Sequence, residues 1–194
     1  MALDPIGVAL RVAQLLESRD IPYLVGGAMA SAILGEPRTT EDIDIVADIR
    51  PEQADALIGA LGSEFYVPVD SLRNAVVRRT SFNIIHLETM RKVDIFVLRG
   101  VALDQEEMRR RLRVVVATDP ERTLYVATPE DLILQKLEWY RKGGSVSDRQ
   151  WRDVLGLIKV QGDRLDRAYL TRWATETGLN DLVERALLEG SPRL

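Results

Sequence analysis

The sequence predicts an α/β protein of the α+β type, in which a mixed β-sheet core with flanking helices is followed by a C-terminal helical bundle. Through the first two thirds of the chain, short apolar runs bounded by turn residues alternate with helical patterns; such runs are typical of strands. After about residue 127, apolar residues recur only at helical spacing. We therefore predict a core region over residues 1–127 and a helical region over residues 128–194.

Local signals define the individual elements. Asp4 and Pro5 open the first helix as N-cap and first helical residue, and Ser147 opens a later helix with a Ser-x-x-Gln capping box. The predicted helices cover residues 5–18, 28–34, 51–61, 104–111, 129–142, 147–160, 166–176 and 179–189. The predicted strands cover residues 22–25, 43–47, 64–67, 75–79, 83–87, 92–98 and 113–117. The strand pair 83–87 and 92–98 has the short connection of a hairpin.

Composition excludes several classes of function. The 194 residues are 46% hydrophobic, which allows a sizeable core, and they include no cysteine and one histidine, His86. Disulfides, thiolate zinc sites and cysteine nucleophiles are therefore excluded, and a Ser-His-Asp triad has little scope. The net charge of -4 argues against nucleic-acid binding through overall charge, although a local basic patch is compatible with it.

The sequence shows no sign of a membrane partner. No apolar run reaches the length of a membrane span. The first residues lack the basic and apolar segments of a signal peptide. We therefore expect a cytoplasmic location.

Three aspartates lie within or beside apolar, strand-like runs. Asp42 and Asp44 are two positions apart, and Asp94 occupies a later run. Side chains two apart on a strand point to the same face, so the three carboxylates converge if the two strands are neighbours. Such a cluster suits one or two Mg²⁺ ions and an in-line phosphoryl displacement. The alternative is a strand with one solvated face.

Candidate phosphate contacts come before the aspartates. Gly26 and Gly27 stand between a strand and a helix, where they form either a simple turn or a close approach of backbone to phosphate. Ser31, one turn into that helix, either faces the same ligand or packs as a small residue. Arg38 and Thr40 precede the aspartate pair; the guanidinium could hold a triphosphate or be an ordinary loop cation.

These motifs together resemble the nucleotidyltransferase superfamily. The pattern consists of Gly26-Gly27, then Arg38-x-Thr40-x-Asp42-Ile43-Asp44, then Asp94. The Arg-x-Thr-x-Asp-Ile-Asp form is most similar to the AbiEii/AbiGii toxin-type nucleotidyltransferases, a group of bacterial proteins. The resemblance implies a nucleotidyltransferase-like core that transfers a nucleoside monophosphate from an NTP with the help of Mg²⁺.

The resemblance also implies roles for individual residues. Asp42 and Asp44 would be metal ligands. Asp94 would be a third ligand or the base that deprotonates the acceptor. Gly26 and Gly27 would contact the triphosphate, as would Ser31, Arg38 and Thr40 on the reasoning above.

The helical region contains two further candidates for the catalytic site. Toxin-type members carry a lysine in a helix after the core, which Lys136 matches, and an aspartate in the next helix, for which Asp153 is favoured over Asp148. Lys136 could neutralise a phosphate, or its stem could lie along a half-buried helix. Asp153 could instead pair with Arg149, and Asp148 suits the first turn of a helix.

The leading hypothesis is therefore a metal-dependent nucleotidyltransferase whose acceptor is RNA or tRNA, a protein or a small molecule. The resemblance allows a toxin of a toxin–antitoxin system, with an antitoxin or a helical partner subunit. A second hypothesis is a non-catalytic nucleotide-binding or partner-binding module with the same fold. A third is an interaction protein whose acids are simply solvated.

Overall fold

The structure, a computed structural model, describes residues 3–191. The chain divides into two units: the first contains Met1–Met29 and Thr40–Ala127, and the second contains Ala30–Thr39 and Thr128–Leu194. The second unit thus takes a segment from the first third of the chain in addition to the C-terminal helices. The division into functional domains at residue 127 stays a prediction.

The described strands all belong to the first unit and form one mixed sheet. They are β1 Tyr23–Val25, β2 Ile43–Ala47, β3 Phe65–Tyr66, β4 Ser81–His86, β5 Lys92–Val97, β6 Leu112–Thr118 and β7 Glu121–Val126. Their order is β3-β4-β5-β2-β1-β7-β6. The neighbours β2 and β5 are parallel, as are β1 and β7, and the remaining neighbours are antiparallel. The predicted mixed α/β class is confirmed.

Alternation along the two central strands decides which residues face the core. In β2, Ile43, Ile45 and Ala47 are buried, while the residues between them are only half-buried. The strand β5 repeats the pattern, with Asp94 on its less buried face. Because side chains alternate between the faces of a strand, Asp44 and Asp94 occupy the face that leaves polar groups accessible.

The first unit also contains helices, with one of them shared between the units. They are α1 Pro5–Glu17, α2 Gly27–Leu34, α3 Ala54–Leu61, α4 Val69–Arg78 and α5 Ala102–Arg110. A 3-10 turn, Pro51–Gln53, leads into α3. The predicted cap of α1 is confirmed, because the Asp4 side chain accepts a hydrogen bond of 2.7 Å from the backbone N–H of Gly7.

The strand predicted over residues 75–79 is wrong, because these residues form the end of α4. The run has β-branched valines, which favour a strand locally. However, Leu72, Ala75 and Val76 are all buried, and their spacing places them on one face of a helix. The helix ends at Arg79, whose φ of 53° is left-handed.

Strand β7 was not predicted from the sequence. It forms an antiparallel pair with β6, from Leu112 opposite Val126 to Thr118 opposite Glu121. The exposed Glu121 and Arg122 at its first end hide the alternation, since only Leu124 and Val126 of the strand are fully buried.

In the second unit the described residues after Thr128 fold into helices. These are α6 Pro129–Lys142, α7 Asp148–Gln161, α8 Arg167–Thr177 and α9 Asn180–Gly190. All four were predicted: the bounds of α6 are as predicted, and those of the other three each lie one residue later. Within residues 3–191 no helix combines the length and the apolar character that crossing a membrane requires.

A buried carboxylate connects two of these helices. Asp131 is 0% exposed, and its side chain accepts hydrogen bonds of 2.6 Å from the Thr128 hydroxyl and from the Tyr169 hydroxyl. Thr128 caps α6, and Tyr169 belongs to α8. A buried acid is tolerated only when such donors replace water, so this group fixes the start of α6 against α8.

We expect Tyr169→Phe to lower the free energy of unfolding by about 1–3 kcal/mol, because it removes one donor from a buried carboxylate. Tyr66→Phe is the matched control, since Tyr66 is 57% exposed. Urea unfolding followed by circular dichroism measures both. Equal losses in the two variants would contradict a structural role for the Tyr169 hydroxyl.

Candidate active site

Asp44 and Asp94 are direct neighbours on adjacent strands. In the parallel pair β2–β5, the register places Asp44 opposite Asp94. Asp42 lies just before the first residue of β2 and is exposed. The sequence predicted Asp42 and Asp44 on one strand face; in the structure Asp42 precedes β2, whereas Asp44 and Asp94 lie side by side within the sheet. Like charges placed opposite each other destabilise a sheet unless a counter-ion is present.

Lys92 supplies positive charge at this position. Its ammonium lies 2.8 Å from Oδ2 of Asp94. The hydrogen bond to Asp94 is the largest effect on Lys92 and raises its pKa; burial opposes it, and the charges of Asp94, Asp42 and Asp44 add smaller upward effects. All three aspartates therefore act on one ammonium group. Sequence reasoning missed Lys92, although its position two residues before Asp94 places it on the same strand face.

The approach of the backbone to Asp44 requires a glycine at position 27. Gly27 has a φ of +57°, and a Cβ at this position would lie 1.9 Å from Oδ2 of Asp44. The backbone N–H of Gly26 donates a hydrogen bond of 2.9 Å to the carbonyl oxygen of Asp44. The backbone N–H of Gly26 is therefore already hydrogen-bonded within the sheet. A phosphate could still approach this residue closely because glycine has no side chain.

The segment before β2 is held by local hydrogen bonds. The Thr40 hydroxyl accepts a hydrogen bond of 3.2 Å from the backbone N–H of Asp42. The next residue, Glu41, forms a salt bridge with Arg91. These contacts fix the approach of the chain to the carboxylates, so Thr40 has a structural role besides any contact with a nucleotide.

The three aspartates match Mg²⁺ in the chemistry of their donor atoms. Carboxylate oxygens are ligands that this ion prefers, and the Lys92 ammonium shows that a cation is accommodated beside Asp94. Across residues 3–191, no three or more His, Asp or Glu side chains are arranged to hold a metal ion. Ligation of a metal ion by Asp42, Asp44 and Asp94 therefore stays a prediction.

In the second unit, one carboxylate is shared by two cations. Arg38 donates two hydrogen bonds of 2.9 Å to Asp153, and the Lys136 ammonium lies 2.8 Å from Oδ2 of the same residue. The side chains of Lys136 and Asp153 are 7% and 8% exposed. Of the two candidate aspartates, Asp153 is thus the one that contacts the predicted lysine, whereas Asp148 forms the first turn of α7.

Burial and hydrogen bonding act oppositely on this group. Burial lowers the pKa of Lys136, and the hydrogen bond to Asp153 offsets part of that effect. For Asp153, burial alone would raise the pKa, but the hydrogen bonds from Arg38 and Lys136 outweigh it, and the pKa is lowered. The arrangement therefore stabilises the carboxylate form of Asp153 and orients both cations.

A cavity of about 340 Å³ lies beside this group, within the second unit. Its lining includes Arg38, Asp153, Ser31, Arg149 and Arg152. Ser31 is only 4% exposed. Three guanidinium groups and two carboxylates, Asp153 and Glu36, line the cavity, so it has an excess of one positive charge, which suits an anion such as phosphate. Sequence reasoning singled out Ser31 and Arg38 but assigned no site role to the two α7 arginines.

Comparison with known protein families decides the classification. A family model described as "Nucleotidyl transferase AbiEii toxin, Type IV TA system" matches residues 13–190. The chain belongs to the AbiEii family. The resemblance carried by the glycine pair and the aspartate motifs is thereby confirmed. The protein is a nucleotidyltransferase, a class of enzyme that transfers a nucleoside monophosphate from a nucleotide donor to an acceptor.

Solved structures share the fold of this AbiEii-family chain. An antigenic nucleotidyltransferase-like protein from Paracoccidioides brasiliensis is 18% identical, with 96% of this chain and 93% of that chain covered and a TM-score of 0.55. The antibiotic-resistance factor ANT(2'')-Ia in solution is 11% identical, with 94% and 99% covered and a TM-score of 0.58. Its crystal structure with adenylyl-2''-tobramycin is 12% identical, with 88% and 96% covered and a TM-score of 0.56. No curated protein matches the chain significantly.

We expect Gly27→Ala to destabilise the protein by more than about 1 kcal/mol, because a left-handed backbone is unfavourable for alanine and the new Cβ would collide with Asp44. Gly59→Ala is the control, since nothing lies within 4 Å of a Cβ built there and alanine favours the α3 helix. Thermal unfolding compares the two variants. A Gly27→Ala variant as stable as the wild type would show that Asp44 moves away freely.

We expect Asp153→Asn to destabilise the protein by about 3 kcal/mol, because it leaves two cations without their shared, largely buried carboxylate. Asp181→Asn is the control, as Asp181 pairs with Arg141 but is 71% exposed; its unfolding free energy should stay close to that of the wild type. Urea unfolding at pH 7 measures both variants.

The same pair of variants has an expected pH dependence. Because the folded chain lowers the pKa of Asp153 from 3.8, the associated stability is complete above that value and is lost as the pH falls through the lowered pKa. Between about pH 5 and pH 2 the wild type should therefore lose more stability than Asp153→Asn. Parallel pH profiles of the two proteins would contradict this assignment.

Proposed function

We propose that this chain transfers a nucleoside monophosphate from an NTP to an acceptor in a Mg²⁺-dependent reaction, and that it acts as the toxin of a toxin–antitoxin pair. The observation that carries the metal dependence is the Asp44–Asp94 pair on adjacent strands, whose charges act together with that of Asp42 on one ammonium. The toxin role rests on the description of the family that the chain matches.

The carboxylates would perform two tasks in this reaction. Asp42 and Asp44 would hold one or two Mg²⁺ ions, which when bound would neutralise charge on the phosphates. Asp94 would be a third ligand or the general base. As base, it accepts the proton of the acceptor hydroxyl while that oxygen attacks the α-phosphorus, and the bond from the α-phosphorus to the pyrophosphate oxygen breaks.

The glycine pair and the chain after it would receive phosphate oxygens. Gly26 and Gly27 place no side chain between the backbone and a ligand, and Gly27 begins α2, whose N-terminus favours anions. Thr40 would add a hydroxyl contact. These three assignments come from the sequence motif and are supported by the backbone geometry at Gly27.

For the second unit we assign an anion-binding role to the cavity beside Asp153. Ser31 and Arg38 line the cavity, and Lys136 shares Asp153 with Arg38. Cations held by a fixed carboxylate are oriented in advance, which favours phosphate binding and transition-state stabilisation. Lys136 would thus act as a point charge on a phosphate. Asp153 would be a positioning residue, because it orients Arg38 and Lys136.

The proposal is tested with α-labelled NTPs and Mg²⁺, offered with total RNA, with proteins of a cell lysate or with an aminoglycoside, so that the labelled fraction identifies the acceptor class. We expect transfer by the wild type, loss without Mg²⁺, and a decrease of about a hundredfold or more in Asp44→Asn. Asp70→Asn is the matched control, because Asp70 is an exposed residue of the first turn of α4.

Two outcomes would overturn the proposal. Transfer that is unchanged in Asp44→Asn would exclude the carboxylates from the reaction. NTP binding in calorimetry without transfer to any of the three acceptor mixtures would favour the alternative of a non-catalytic nucleotide-binding module. The toxin role, on which an antitoxin partner depends, is tested separately by the growth of a host with and without expression of this chain.

A further inference from the structure

The position of Lys92 differs from that of an ordinary surface lysine. Its side chain is 58% exposed, yet its ammonium lies 2.8 Å from Asp94, whose side chain is 29% exposed. The lysine precedes Asp94 by two residues on β5, so both side chains rise from the same face of the sheet. The strand itself therefore holds the ammonium beside the group of Asp42, Asp44 and Asp94, which we call the acid cluster.

The acid cluster has a physical need for such a group. Asp44 and Asp94 are opposite each other in a parallel register, and like charges in this position repel. Asp42 and Lys92 each precede one member of this pair by two positions. One ammonium thus offsets part of three negative charges, which is the task that a divalent metal would perform.

We propose that Lys92 is the built-in counter-ion of the Asp42, Asp44 and Asp94 cluster and that a divalent metal ion binds by displacing it from Asp94. This inference rests on the metal dependence proposed above. Lysine suits the role because its charge is compact and its stem is flexible, and because the exposed side chain can move into solvent without unfolding the strand. Metal binding is then a cation exchange at Asp94 and requires no rearrangement of the backbone.

As a consequence, competition between Lys92 and the metal ion for Asp94 sets the affinity of the site for the metal. Removing the ammonium leaves Asp94 available to the metal and removes a repulsive charge from its surroundings. At contact distance a charge–charge interaction with a dication is large enough to change affinity by about tenfold. The same removal takes from Asp94 its ion-pair partner, so the metal-free protein should melt at a lower temperature.

The experiment measures Mg²⁺ binding to the full chain by calorimetry without nucleotide, together with melting temperatures in EDTA and in Mg²⁺. For Lys92→Met we expect the Mg²⁺ dissociation constant to decrease by about tenfold, the melting temperature in EDTA to fall, and the increase caused by Mg²⁺ to grow. Lys92→Arg keeps the charge and should keep the dissociation constant within about twofold of the wild type.

Two control variants separate displacement from a general loss of positive charge. Lys142→Met matches Lys92 in residue type and exposure, since Lys142 is 56% exposed and pairs with Glu138. Arg91→Met removes the neighbouring charge, whose partner is Glu41. Both controls should bind Mg²⁺ with nearly the wild-type affinity.

Several outcomes would overturn the inference. Equal Mg²⁺ affinities of the wild type and Lys92→Met would exclude competition between Lys92 and the metal ion. If Arg91→Met gained as much Mg²⁺ affinity as Lys92→Met, the effect would be a general loss of positive charge. Absence of Mg²⁺ binding in both wild type and Lys92→Met would overturn the inference and the metal dependence together. Transfer activity with normal Mg²⁺ dependence but no effect of Lys92→Met would overturn the counter-ion role alone.

Discussion

The parallel register of β2 and β5 is the constraint on which the candidate chemistry of the first unit depends. It sets Asp44 opposite Asp94, and because side chains alternate with a period of two, a slip by one residue would turn the whole set to the other face. The buried residues of both strands resist such a slip, since it would bring aspartates into the core. The hydrophobic pattern therefore holds the carboxylates in place, although none of its members touches a ligand.

The two units have opposite charge arrangements. In the first, three carboxylates act on a single ammonium, Lys92. In the second, two cations, Arg38 and Lys136, converge on the single carboxylate of Asp153. The first arrangement suits the proposed metal ion, and the second suits the proposed phosphate. Charges held in such groups by the protein itself need little reorganisation when a ligand arrives.

Local patterns in the sequence predicted a large part of these features, but not the contacts between distant residues. Alternation correctly placed Asp44 and Asp94 on the accessible strand face, and the helical spacing of apolar residues predicted the four C-terminal helices. The strand predicted over 75–79 failed because burial on a helical face prevailed over local β-propensity. The shared role of Asp153 could not be derived, since Arg38 is 115 positions away. Lys92 could have been found by applying the strand period to the residues before Asp94.

The glycine at the start of α2 has a meaning beyond phosphate binding. The folded backbone itself excludes a side chain at Gly27, because any Cβ would meet Asp44. A descendant of this chain that had lost its catalytic activity would still be selected to keep that glycine as long as it kept Asp44 and the fold. The glycine is thus a requirement of folding wherever Asp44 is kept, and its presence alone does not show that a relative is active.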